Sequence, residues 1–423
     1  MQTFRPNARR REAAAAILCV FVLVAAAVFS AEPAVYAAEK IVFGFKGIPD
    51  ELRLAQQFVE EFNRQHPDIE VEILDMTASG DSWPERLAVL FASGTAPDVI
   101  RMEYQRSFPF VNRGLLLPLD RYADTDPAFD RLDFFEASLE AHTVDGVLYG
   151  IPREAQPFTV FINETRVAEV GLPFPDLDWD MDTFLEIARR TRRLDDEGFP
   201  LRYGWHMERS VTRLMPFLNA YGGGVYDQAA GRFTVTDPGT IQALDVIQQA
   251  ALEPGVVGGD FRYGQASLFL RGPWMVPEFR QTLTDFEWNI MPAPGGPGGR
   301  GTTLGSDAYY ISKDSRHPDL AWEFVKHMTG EAAAMRLAAS GGVVPARREV
   351  ARQYILSGSS EPPHNLEAYL VGLEIARPTP NLSEFVQIER VLEAQWQRVF
   401  IGAVDARTAM EEILPQLEAL AGQ

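Results

Sequence analysis

The sequence predicts an α/β protein with a largely parallel sheet, in more than one domain. Short apolar runs alternate with amphipathic helical segments over residues 40–102, the signature of βαβ units with right-handed crossovers. The chain has 423 residues, enough for about two or three domains. Its 46% apolar and 11% aromatic content is that of a packed core rather than a disordered chain.

Residues 1–38 read as a secretory signal. Arg5, Arg9, Arg10 and Arg11 precede an uncharged apolar run from Ala13 to Phe29, and small residues follow as far as Ala38. The run is nearly long enough to be a permanent anchor, but its alanine richness and small-residue tail favour cleavage. Cleavage takes away four arginines and two glutamates, turning the net charge of −20 into −22. The single cysteine, Cys19, leaves with the signal; Ile17 and Leu18 before it are not the small residues of a lipoprotein signal. Disulfides and thiolate chemistry are thus excluded from the mature chain. So acidic a surface repels phosphates and argues against a nucleic-acid partner.

Lys40–Phe45 reads as a buried strand, and Glu51–Gln65 as a helix with Leu52, Ala55, Phe58, Val59 and Phe62 on one face. His66-Pro67-Asp68 stops that helix. Ile69–Ile73 is a strand, Trp83–Phe91 a helix and Asp98–Met102 a third strand. A second α/β region begins near Pro152, with a strand at Phe158–Asn163 and a helix capped by Asp180 or Asp182 that runs to about Leu194. Helices are expected at 211–220, 238–251 and 264–270, and a surface loop at Pro292–Gly301. A strand at Ala308–Ser312 and helices at 317–328, 331–339, 384–400 and 406–420 follow.

Familiar catalytic signatures are missing: no Gly-x-Ser-x-Gly, no His-Glu-x-x-His and no phosphate loop. Asp176, Asp178, Asp180 and Asp182 alternate like a calcium loop, but Met181 and Ile187 stand where glycine and glutamate are needed, so helix capping is the better reading. Tyr309 and Tyr310 are adjacent on a strand and so face opposite ways, which suits packing better than joint metal ligation. No metal or other cofactor is expected. Open α/β sheets bind ligands beyond the carboxyl ends of their strands. Lys46 follows the first strand, Ser79 and Asp81 lie beyond the second, and Glu103 and Tyr104 beyond the third. Carboxylates and hydroxyls there suit a polar ligand rich in hydroxyls, and aromatic faces cover the C–H face of a sugar ring.

Seven segments in order resemble the sugar-binding family of extracellular solute-binding proteins of ATP-binding-cassette importers. They are Leu54–Phe62 before His66-Pro67-Asp68-Ile69; Gly94–Val99; Gly146–Pro152; Phe161–Glu164; Gly264–Ser267 with Gly272-Pro273-Trp274; Gly341–Pro345; and Ala406–Leu420. The resemblance covers essentially the whole mature chain. It implies a two-lobed periplasmic-binding fold, each lobe a mostly parallel sheet flanked by helices, that closes on a sugar and hands it to a membrane permease. The lobes would comprise 39–151 plus 305–345 and 152–304 plus 346–423, with crossings near Pro152–Phe158, Thr303–Asp307 and Gly342–Pro345. Trp274 matches a position where the family stacks a ring on sugar; Trp205, Asn219, Ser306 and Asp307 complete the candidate set. Asn219 also suits the turn at Gly222-Gly223-Gly224. Arg209 and Arg213 leave room for an acidic or phosphorylated ligand. A periplasmic monomer is expected. The alternatives are the same fold binding glycerol phosphate, a polyamine or a metal, or an exported carbohydrate-active enzyme.

Overall fold

A computed structural model describes residues 38–382 and 384–422; the expected signal lies outside the described residues except for Ala38. Strand β1 (Glu39–Phe45) is followed by helix α1 (Pro49–Gln65), which buries Ala55, Phe58, Val59 and Phe62. Pro49 suits the first turn, where no N–H partner is lost. Then come β2 (Ile69–Asp75), α2 (Trp83–Ala92) and β3 (Val99–Glu103), with α3 (Tyr104–Asn112) following at once. β4 (Gly150–Pro152) and β5 (Gln156–Pro157) take the chain out of this lobe.

The second lobe begins with β6 (Thr159–Asn163) and α4 (Met181–Thr191). The Asp180 carboxylate accepts from the Thr183 N–H at 2.9 Å, so the aspartate alternation ends in a helix cap. β7 (Trp205–His206), α5 (Val211–Ala220), α6 (Pro238–Leu252), β8 (Leu268–Arg271) and β9 (Trp288–Pro292) follow. The chain returns through β10 (Thr302–Gly305) and enters the first lobe as β11 (Asp307–Ile311), covered by α7 (Pro318–Thr329) and α8 (Glu331–Ala339). β12 (Ala376–Arg377), α9 (Phe385–Phe400) and α10 (Ala406–Ala421) finish it.

The first sheet has the order β2-β1-β3-β11-β4, the second β7-β8-β6-β9. Both are mixed, less parallel than expected. β1 pairs parallel with β2 and β3, but β11 runs antiparallel to both its neighbours, and β6 antiparallel to β8 and β9. A third sheet, β12-β10-β5, joins two crossings, with Leu304 opposite Pro157 and Gly305 opposite Gln156. The third crossing pairs Pro345 with Glu154. Leaving it, Arg347 still reaches back to Asp133 of the first lobe at 2.6 Å.

One expected helix is a strand. Residues 264–270 contain a loop and most of β8, because Leu268, Phe269 and Leu270 are all buried between β7 and β6. A run buried on both faces has no periodicity to tell strand from helix. The Pro292–Gly301 loop is exposed only in part, since Pro292–Gly295 is buried. The two adjacent tyrosines do face opposite ways: Tyr309 packs on Phe43 at 5.7 Å, while the Tyr310 hydroxyl meets His142 Nδ1 at 2.6 Å.

Candidate binding cleft

A cleft of about 1220 Å³ opens between the lobes, floored by the crossings. Glu51 reaches it from the first turn of α1, Arg101 and Glu103 from β3, Arg153 and Glu154 from the first crossing, and Ser306 and Asp307 from the second. An arginine in a buried strand must be paired, and Arg101 is. Its two terminal nitrogens donate to Glu51 at 2.9 and 3.1 Å, and its Nε donates to Asp307 at 2.9 Å. Arg153 adds a 3.3 Å bond to Glu51. Burial would push the Glu51 carboxyl up, but these two guanidiniums hold it well below the usual carboxylate range.

Glu154 and Glu103 behave oppositely. Burial, opposed by Arg153 and reinforced by Asp307, pushes Glu154 up to about 7. Burial and Asp307 also raise Glu103, whose nearest cation, Lys46, stands 3.6 Å away. Glu154 and Arg153 Nε are 3.1 Å apart but off hydrogen-bond alignment. Five cleft-lining atoms are thereby closed to solvent without a hydrogen-bond partner: Glu103 Oε2, Arg153 Nε, Glu154 Oε2, Gln156 Oε1 and Arg271 Nε.

The second lobe contributes an aromatic and cationic wall. Trp274, 37% exposed, meets Phe158 edge-on at 5.3 Å, and the Arg213 guanidinium covers the Phe158 ring at 5.0 Å. Arg213 and Arg271 share one oxygen of Glu208, at 3.2 and 3.0 Å. Gly272 makes room for Trp274: a Cβ there would lie 1.9 Å from the indole ring.

Of the sequence candidates, Lys46, Glu103, Trp274, Ser306 and Asp307 line this cleft. Others do not. Tyr104 is fully buried, its hydroxyl 2.9 Å from Thr379 Oγ1 and 3.2 Å from the Leu304 carbonyl, so it struts the core instead of facing a ligand. Trp205 packs between Phe184 and Phe217 in the second lobe's core, at 5.1 and 4.8 Å. Asn219 sits beside Gly301, and its carbonyl accepts from the Gly222 N–H, the turn role. The side chains of Ser79 and Asp81 lie outside the described ones. Arg209 bonds Gln397 away from the cleft. Arg213, raised by the sequence together with Arg209, does line the cleft, but sequence reasoning missed Glu51, Arg101, Arg153, Glu154, Phe158 and Arg271. A signal existed only for Arg101, a lone cation inside an apolar strand. Among the described residues no group of three His, Asp or Glu side chains is arranged to hold a metal.

Residues 48–335 match the family described as bacterial extracellular solute-binding protein. A galactooligosaccharide-binding protein of Bacillus subtilis is 22% identical over 372 residues, 84% of this chain and 83% of that one. An ABC substrate-binding protein of Listeria monocytogenes, solved with cycloalternan, superposes with a TM-score of 0.78 at 20% identity, over 91% of this chain and 99% of that one. The GacH receptor of Streptomyces glaucescens, solved unliganded and with acarbose, gives 0.75 at 18% identity, over 92% and 100%. At such identities the structural likeness speaks for the two-lobed fold.

Proposed function

The chain belongs to the bacterial extracellular solute-binding protein family, and we propose that it captures a mono- or oligosaccharide between its lobes for delivery to the permease of an ABC importer. One observation carries this reading. Five buried polar atoms without partners line a cleft that also presents a half-open tryptophan. Five further unpartnered atoms among the described residues lie away from the cleft, but these five belong to residues lining it, where a ligand with many donors and acceptors can meet them, and Trp274 offers it a ring face. Lys46, Glu103, Trp274, Ser306 and Asp307 are the proposed contacts, joined by Glu154, Gln156 and Arg271. The named relative binds galactooligosaccharide, which supports the sugar class.

Contacts from both lobes favour the closed form, so ligand closes the cleft. The role is binding without turnover, by an exported monomer whose residues 1–38 are cleaved on the way to the periplasm. A phosphorylated ligand is not favoured, because Arg213 and Arg271 face Glu208, and Glu389 lies near Arg213. A thermal-shift screen across sugars, polyols, phosphates and polyamines tests this. A sugar at about 1,000-fold saturation should stabilise the protein by about 4 kcal/mol. Shifts confined to phosphates, or consumption of the sugar by the pure protein, would overturn the reading.

A further inference from the structure

We propose that the ligand presents a protonated amine to the carboxylates on the cleft floor, making it an amino sugar or another aminated polyol; this rests on the sugar reading above. Glu103 and Asp307 stand directly opposite each other across β3 and β11, so their side chains share one face of the sheet. Glu154 adds a third carboxylate from the adjoining crossing. Asp307 accepts from Arg101 at 2.9 Å and Glu154 accepts on one oxygen from Gln156 at 2.7 Å, whereas Glu103 has only Lys46, at 3.6 Å.

The other two carboxylates are incompletely met. Glu103 Oε2 and Glu154 Oε2 are closed to solvent and accept no aligned hydrogen bond; the Glu154 side chain is only 6% exposed, with Arg153 Nε 3.1 Å away, while the rest of the Glu103 side chain is open to the cleft at 38%. Gln156 points the same way. Its amide nitrogen donates to Glu154 Oε1 at 2.7 Å, and the reverse orientation would set oxygen against oxygen. Its buried Oε1 is therefore a free acceptor. Three of the five unpartnered cleft atoms, one at the end of β3 and two on the first crossing, are thus acceptors without a donor.

A neutral hydroxyl would supply a donor but no charge. On the floor, the four carboxylates of Glu51, Glu103, Glu154 and Asp307 share three ion-pairing cations, Lys46, Arg101 and Arg153. An ammonium brings three donors and one positive charge, and its bonds to carboxylates are charge-assisted. Burial has already made the ionised forms of Glu103 and Glu154 costly, a cost that a bound cation offsets.

Matched oligosaccharides test this by calorimetric titration at pH 7: glucosamine dimers and trimers against their N-acetylated and all-hydroxyl counterparts, with spermidine as a non-sugar amine. The expected result is that the amine forms bind at least tenfold tighter than their neutral partners. Glu154→Gln and Glu103→Gln should each shrink that ratio while melting normally without ligand. Neutral sugars binding as well as or better than their amine forms would overturn the amine and leave the sugar reading standing. Spermidine binding with no sugar binding would keep the amine and remove the sugar, and no binding at all would remove both.

Discussion

Arg101 holds both oxygens of Glu51 in a fork of 2.9 and 3.1 Å, across fifty residues of chain. The planar guanidinium matches a carboxylate in two parallel bonds, and its remaining Nε reaches Asp307 at 2.9 Å. One side chain therefore ties the start of α1 to the centre of the first sheet and to the second crossing. The cleft floor is a pre-set surface on which a ligand lands, so little ordering remains to oppose binding.

Replacing Arg101 with Met should leave Glu51 and Asp307 without their main cation. Removing one partner of a buried ion pair costs about 3–5 kcal/mol. Urea unfolding monitored by tryptophan fluorescence checks this; a loss below about 1 kcal/mol would mean that water replaces the guanidinium.

Trp274→Ala should separate binding from folding. The ring is 37% exposed and fills no core, so the unliganded melting temperature should hardly move. Losing aromatic contact and its buried area, about 2–4 kcal/mol together, should weaken sugar binding roughly a hundredfold. A melting curve paired with titration decides; a large drop in melting temperature with affinity kept would return Trp274 to the core.

Gly272→Ala reaches the same ring indirectly. The backbone there is extended and tolerates alanine, but the new Cβ falls 1.9 Å from the indole. The ring must swing away, and affinity should drop by about tenfold or more, near 1.4 kcal/mol. An unchanged dissociation constant would show that ring position does not matter.

His142 should make the protein acid-sensitive. It is fully buried between Tyr310 Oη at 2.6 Å and Ser306 Oγ at 2.9 Å, and burial depresses it to about 3. The unfolded chain binds a proton near pH 6.5 that the folded chain refuses. Its share of stability is therefore complete above that pH and is lost as pH falls toward 3, by about 1.4 kcal/mol per unit. His142→Gln should flatten the slope of unfolding free energy against pH between 6 and 4, whatever it does to the absolute value.

Much of the fold was legible because its segments are locally consistent. The expected helices at 211–220 and 331–339 match α5 and α8 residue for residue, and the alternation through β3 gave the parallel part of the first sheet. Strand direction elsewhere was not legible, since pairing partners such as β6 and β9 lie more than a hundred residues apart and carry no local mark of orientation. The cleft was half legible. Strand ends gave Lys46 and Glu103, and Gly-Pro-Trp gave Trp274. Tyr104 follows Glu103 at once, yet its ring turns inward; an aromatic residue after a strand packs equally well on either side. Arg153 and Glu154 sit where the chain leaves the first lobe, a place that sequence locates only roughly. The pairing of Arg153 with Glu51 depends on that exit.

Because β11 (Asp307–Ile311) fills the gap between β3 and β4, the first sheet stays split in the middle until more than three hundred residues have been synthesised. Neither half can seal its apolar face before then, and so distant a pairing slows folding. The first lobe therefore cannot close its sheet until the chain has returned from the second. A fragment stopping at Gly301 should accordingly give no cooperative melt, however complete its helices.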